Sequence, residues 1–103
     1  MYRATTPTHT FTLPVNPAEC DEIQVTYKQA DTVLEFHYQD NILPTGMTLE
    51  RMNVIITLTQ QQTLLFKSGR AGVQVRVRMG DTVKASQKFN ISIFDSINEE
   101  ILS

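Results

Sequence analysis

The stretch VQVRVRM, residues 73–79, alternates apolar and polar side chains at every position. Because successive side chains of a β-strand point to opposite faces, this alternation predicts a strand that buries its valines and exposes its glutamine and arginines. The pair Gly80-Asp81 follows at once and is typical of a two-residue hairpin turn. Val83 and Ala85 continue the apolar pattern beyond it, so we expect an antiparallel return strand.

Shorter alternating runs lie outside this hairpin and predict further strands. The chain holds 13 threonines with 8 valines and 8 isoleucines, and these β-branched residues favour a pleated, half-buried surface. Residues 39–51 lose the alternation and carry turn residues, so we expect the longest loop there. The predicted strands are 10–15, 23–27, 33–38, 54–58, 73–79, 83–85 and 89–93, with the last continuing the return strand through a bend at 86–87.

One short helical turn is predicted between the strands that end near residue 58 and begin near residue 73. Thr59 and Gln62 have the spacing of a capping box, in which each side chain binds the backbone amide of the other residue. Leu65 and Phe66 follow in the next turn. A helix this short is marginal alone, so we expect Leu65 or Phe66 to anchor it in the core.

Together these features predict an all-β fold, an immunoglobulin-like antiparallel β-sandwich of about seven strands. The 103 residues (11.7 kDa) fit a single domain, 1–103, in which 94–103 form a short C-terminal tail or helix. The Cys–Trp–Cys pattern of antibody domains is absent, and a small barrel is the alternative architecture. Pro14 and Lys84 are expected to protect sheet edges from uncontrolled pairing.

The sequence predicts a soluble protein made in a cytoplasm. The single cysteine, Cys20, excludes an internal disulfide and fits a small buried filler. The longest apolar runs are three residues, whereas a membrane-spanning helix needs about twenty. The N-terminal segment has no apolar core, so no signal peptide is expected.

No catalytic or metal-binding motif is present in the sequence. His9 and His37 are the only histidines, and neither belongs to a recognisable nucleophile or acid–base pattern, so both are interpreted as ordinary surface or edge residues. Cys20 and Glu22 could share a strand face but do not make a metal-ligand cluster. We therefore expect no cofactor, no bound metal and no enzymatic activity.

Charge is unevenly distributed along the chain, although the net charge is only −2. Residues 67–88 hold six basic residues and one acidic residue, whereas residues 19–50 hold seven acidic residues and one basic residue. A solvated sheet face, a protein contact and a nucleic-acid site are all possible readings of the basic segment, and the acidic half makes nucleic acid the least favoured. The candidate partner-binding residues are Gln74, Arg76 and Arg78, with Ile97, Ile101 and Leu102 in a capped apolar tail.

Several stretches resemble the small immunoglobulin-like proteins of bacteriophages and prophages of Gram-positive bacteria, and the N-terminal domain of phage baseplate upper proteins. They are residues 25–29 (VTYKQ), 56–66 (ITLTQQQTLLF), 73–78 (VQVRVR), 85–86 (AS) and 91–93 (ISI). The resemblance implies a non-enzymatic virion or assembly module that contacts other virion proteins or a second copy of itself. It also implies a location in the virion, or in the bacterial cytoplasm before assembly.

A host-surface or carbohydrate-binding sandwich is the alternative function. Such sites usually present aromatic rings that stack on sugars, and the chain has no tryptophan. Only Tyr2, Tyr27 and Tyr38 could serve, and the last two fit the predicted core pattern.

Overall fold

The computed structural model describes residues 1–95, and within that range it describes every side chain except those of residues 84–87. Strands dominate the described residues, which confirms the predicted all-β class. The strands are β1 (Thr8–Thr12), β2 (Glu22–Gln29), β3 (Thr32–Gln39), β4 (Met47–Glu50), β5 (Asn53–Thr57), β6 (Gly69–Met79) and β7 (Thr82–Ile93), with a 3₁₀ turn at Pro17–Glu19 and a short helix, α1, at Gln60–Thr63.

The strands form two antiparallel sheets. The three-stranded sheet has the order β1-β5-β4, and the four-stranded sheet has the order β3-β2-β6-β7. Hairpins join neighbours within a sheet, whereas the connections β1–β2, β3–β4 and β5–β6 cross between the sheets. This arrangement matches immunoglobulin strands B-E-D in one sheet and C′-C-F-G in the other. An isolated parallel bridge between Tyr2 and Phe94 extends the β7 side of the molecule.

Alternate residues of each strand meet in the core between the sheets. Tyr27 on β2 lies near the centre of this core and has no exposed surface. Its ring centroid is 6.1–6.4 Å from those of Phe11, Phe36 and Phe66, two of them in edge-on contact. Burial of this apolar layer supplies the main stabilisation of a domain of this size. The other fully buried aliphatic residues include Ile23, Val25, Val54, Ile56, Leu58 and Val75.

The predicted helical turn and its capping box are both present. The Gln62 amide donates to the Thr59 hydroxyl at 3.1 Å, and the Thr59 amide donates to Gln62 Oε1 at 2.8 Å. Phe66 is completely buried, whereas Leu65 is 52 % exposed. Phe66 is therefore the residue that anchors the turn.

The predicted loop at residues 39–51 was wrong in its last part, because it contains β4. This strand has only four residues, and a left-handed residue lies on each side of it: Gly46 with φ of 92° and Arg51 with φ of 55°. A Cβ on Gly46 would stand 2.7 Å from the Thr57 carbonyl oxygen, so glycine is required there. The turn residues that flank β4 hid its short alternation.

The return strand and the last predicted strand are continuous, as predicted, and form β7, whose pairing with β6 shifts register between Gln74 and Arg76. One other strand boundary differs from the prediction. The first strand ends at Thr12 rather than at Val15, and Pro14 lies just beyond it. The count of about seven is therefore confirmed, although β4 replaces one of the predicted strands.

No helix among the described residues is long and apolar enough to cross a membrane. Part of the predicted C-terminal tail, residues 96–103, lies outside the described residues. The candidate contact residues Ile97, Ile101 and Leu102 are in that segment.

Candidate interaction surface

The outward-facing side of the four-stranded sheet carries both arginines that the sequence predicted to make contacts. On β6 the even-numbered residues point outward because the intervening alanine and valines are buried in the core. We call this surface the basic face. Its charged members are five cations, Lys28, Arg70, Arg76, Arg78 and Lys88, and two carboxylates, Glu22 and Glu35.

Strand register brings the three described candidate residues together in successive rows of the basic face. Gln74 lies between Thr26 on β2 and Lys88 on β7. Arg76 lies in the next row, opposite Gln24, and Arg78 lies opposite Glu22.

Among the described basic residues of β7, Lys88 lies nearest to these three positions, because it pairs with Gln74. The sequence predicted that Lys84 would lie close to Arg76 and Arg78; its backbone pairs with Val77 between them, and its side chain lies outside the described part of the structure. The bulge in β7 adds one residue between Lys88 and Ala85, so the alternation of the strand shifts beyond it.

Arg78 is held in an ionic network at one end of the basic face. Its Nε donates to Glu22 Oε2 at 3.1 Å, and a terminal guanidinium nitrogen donates to the Gly80 carbonyl at 2.9 Å. His37 Nε2 lies 2.6 Å from the other oxygen of Glu22. The His37 and Arg78 side chains together hold the pKa of the Glu22 carboxyl below its usual range. Arg78 thus supports the β6–β7 hairpin as well as facing solvent.

Both carboxylates of the basic face are engaged, whereas four of its cations are not. Glu35 accepts a hydrogen bond from Gln24 at 3.2 Å, as Glu22 does from Arg78. Among the described residues, no hydrogen bond or ion pair engages the side chain of Lys28, Arg70, Arg76 or Lys88. The face therefore presents uncompensated positive charge, although the protein as a whole is slightly acidic.

A groove of about 250 Å³ crosses the basic face at Gly72. The groove exists because position 72 contributes no side chain between Lys28 on β2 and Asn90 on β7, and Lys88 lines it from the next row. A Cβ at this position would meet only the Lys28 carbonyl oxygen, at an ordinary 3.9 Å. The backbone therefore does not require glycine here, and the open groove is a property of the surface.

His37 is exposed on the edge strand β3, as the sequence indicated, whereas His9 on β1 contacts the core. His9 is half-buried, and its Nδ1 lies 2.7 Å from the hydroxyl of Tyr27 on the opposite sheet. Burial lowers the pKa of His9 and raises that of Tyr27 well above its ordinary value. No sequence signal could have paired these residues, because they are 18 positions apart and belong to different sheets.

The remaining candidate reactive group is a buried thiol. Cys20 is 4 % exposed, as predicted for a core filler, and burial raises its pKa. Within residues 1–95, no group of three or more His, Cys, Asp or Glu side chains could hold a metal ion.

Among the described residues, the exposed aromatic rings form one pair, which lines neither groove of the basic face. Tyr2 and Phe94 are each at least half exposed, and their ring centroids are 5.3 Å apart. Tyr27 and Tyr38 are buried, as their positions in the alternating pattern predicted.

No family model matches the chain, and no curated protein is similar enough to count as a relative.

Proposed function

We propose that this protein is a non-enzymatic interaction module, a structural or assembly component of a bacteriophage or prophage virion, that binds an acidic protein surface through its basic face. The observation that supports this most is the excess of cations on the basic face, where only one of the two carboxylates, Glu22, is paired with an arginine. Four cations of this face have no hydrogen-bond or ion-pair partner for their side chains among the described residues: Lys28, Arg70, Arg76 and Lys88. Such a face attracts a negatively charged partner and speeds encounter with it.

The chemistry of the basic face favours a protein over a nucleic acid. Sequence-independent binding of single strands uses aromatic rings that stack on bases, and β-sheet surfaces that bind RNA carry such rings. Phe89, the aromatic residue nearest to the Gly72 groove, turns inward and lies 5.0 Å from Phe11 between ring centroids.

Carbohydrate binding is the weaker alternative. It would depend on the exposed Tyr2–Phe94 pair, since the other tyrosines are buried. The two grooves on the basic face are lined by other residues, so neither groove offers an exposed ring on which a sugar could stack.

Site-specific crosslinking tests the proposal. A photo-reactive amino acid replaces Arg76 in the basic face and, as a matched control, the exposed Lys67 that lies before β6. In cells that produce virions, we expect position 76 to form an adduct with a virion structural protein, identified by mass spectrometry, and position 67 to form none. Equal adducts at both positions, or adducts with nucleic acid alone, would contradict the proposal.

A double charge-reversal variant tests the same contact without a crosslinking amino acid. The double variant Arg76→Glu/Lys88→Glu should reduce incorporation into virions at least about tenfold, since reversed charges at an interface are repulsive. Lys67→Glu changes the charge of an exposed lysine outside the basic face and should leave incorporation unchanged. Arg78 is kept because its ionic network supports the fold.

A further inference from the structure

The free edge of β1 has a defined hydrogen-bonding pattern. Leu58 N donates to Pro7 O at 3.0 Å, and Leu13 N donates to Met52 O at 2.8 Å, in register with the pairing of β1 and β5. Hydrogen-bonded positions alternate along an antiparallel ladder, so the odd-numbered residues of β1 face β5. The backbone N–H and C=O groups of Thr8, Thr10 and Thr12 therefore point away from the sheet.

Nothing in the described part of the chain pairs with these outward groups. The other three sheet edges have features that discourage pairing. The edge strand β4 has only four residues, β3 carries Glu35 and His37, and β7 has a register shift and is bridged near its end by Tyr2. Charge, shortness and bulges are the usual protections of an edge strand; β1 is also short, with five residues, but it has no bulge and no Lys, Arg, Asp or Glu.

The β1 edge is regular, uncharged and limited in length. The hydroxyl of Thr8 lies 3.1 Å from that of Thr57, and the Thr12 hydroxyl donates to Asn53 Oδ1 at 2.7 Å, so β5 holds both side chains in place. Pro14 is even-numbered, so its backbone would point outward like that of Thr12, but proline has no N–H to donate. Pairing at this edge therefore ends at Thr12. The predicted role of Pro14 as an edge guard is thus confined to the end of the strand.

We propose that two copies of this chain pair antiparallel through their β1 edges, with a two-fold axis at Thr10. Thr10 then opposes Thr10 of the second copy, and Thr8 opposes Thr12. Every outward residue falls in a hydrogen-bonded pair, so the interface forms six backbone hydrogen bonds. The result is a continuous six-stranded sheet in the order β4-β5-β1-β1-β5-β4, and the interface is closed because both free edges are used.

A second copy fits this edge better than an unrelated strand because the edge is complementary to itself. On the exposed side of the sheet the facing side chains are all threonines, which make favourable cross-strand pairs, and on the core side His9 faces Phe11, so no like charges are brought together. Both copies present the same three outward residues, so the lengths match. This contact is separate from the basic face, which lies on the other sheet.

Sedimentation equilibrium from about 1 μM to about 1 mM tests the pairing, a range that covers weak to moderate affinities. We expect the wild-type chain to reach twice its 11.7 kDa mass with rising concentration. Thr10→Pro should weaken the dimer at least tenfold, since proline removes the central outward N–H while the bonds to β5 remain. Thr10→Lys should weaken it several-fold, because two like charges then face each other.

Thr48→Lys is the matched control, since Thr48 and Thr10 are exposed neighbours of the same residue, Ile55, on opposite edges of the sheet. It should leave the dimer unchanged, and so should Arg76→Glu in the basic face. Mixing Thr10→Lys with Thr10→Asp should restore dimers. A wild-type chain that stays monomeric, or equal losses in Thr10→Lys and Thr48→Lys while both remain folded, would overturn the β1 pairing and leave the basic-face proposal intact.

Discussion

At Tyr27 the core contains a polar atom that must find a hydrogen-bond partner. The phenol is surrounded by aromatic rings, and His9 Nδ1 meets its hydroxyl at 2.7 Å. With the imidazole neutral and its proton on Nε2, the Tyr27 hydroxyl donates to Nδ1. An unpaired buried hydroxyl typically costs about 1–3 kcal/mol, so this single contact across the sheets stabilises the packing of β1 on β2.

The lowered pKa of His9 predicts a loss of stability in mild acid. Burial makes the folded state bind a proton at His9 less readily than the unfolded state, whose pKa is about 6.5. The free energy of unfolding therefore falls as pH drops below about 6.5. Urea unfolding at about pH 7.5 and about pH 5.5 should show this fall in the wild type and in His37→Asn, and a smaller fall in His9→Asn. If the free energy of unfolding of His9→Asn falls with pH as much as that of the wild type, the prediction is wrong.

The short helix α1 shows how a few residues fix the path of the chain between the two sheets. The capping box satisfies the first amides of a helix that has only four residues, and the chain then turns Phe66 into the core. Leu65 is similar in size and adjacent, but it points to solvent. The two residues therefore form a natural pair for measuring the contribution of burial.

Phe66→Ala should lower the free energy of unfolding by about 3–5 kcal/mol, since it removes a fully buried ring and leaves a cavity. Leu65→Ala should change it by no more than about 0.5 kcal/mol, the usual range for an exposed position. The measurement is urea unfolding of the wild type and the two variants, analysed with one common dependence of the free energy of unfolding on urea concentration. Similar losses in both variants would mean that the turn is held by both side chains.

The alternation of side chains was sufficient to predict the strands that decide the architecture. Residues 73–79 and 23–27 alternate over their whole length, and both became central strands. It was not sufficient for β4, whose four residues give too short a pattern between two turns. The bulge in β7 was also hidden, because it follows from pairing with β6 rather than from local sequence.

For the candidate site, the sequence predicted the shared face of Gln74, Arg76 and Arg78 but not their different roles. Arg78 is bound to Glu22, which is 56 positions away, whereas Arg76 has no such partner among the described residues. Long-range pairs of this kind depend on strand order, which the alternation alone does not specify. The Gly72 groove is likewise visible only once Lys28 and Asn90 are placed on either side of it.

The two proposed contact surfaces lie on separate sheets and differ in chemistry. The basic face on the four-stranded sheet is electrostatic, while the β1 edge of the three-stranded sheet offers uncharged backbone groups. One copy can therefore use both at once, and a pair joined at β1 carries two basic faces. Such a pair would bind a repetitive acidic surface more tightly than a single copy does.

Salt should separate the two contacts. Raising NaCl from about 0.1 M to about 1 M shortens the Debye length from about 10 Å to about 3 Å. We expect crosslinking from position 76 to decrease strongly over this range, while the dimer fraction measured by sedimentation stays constant. Dissociation of the dimer by salt would show that charge, rather than the β1 backbone, holds the copies together.

Gly72 has no side chain, so position 72 can carry a label in experiments on this protein. Its backbone accepts a side chain without strain, and its groove opens to solvent on the basic face. The native thiol, Cys20, is buried and holds its proton more tightly than usual. A cysteine introduced at position 72 would therefore react selectively with a fluorescent or spin label, placing a reporter where a bound partner would quench or immobilise it.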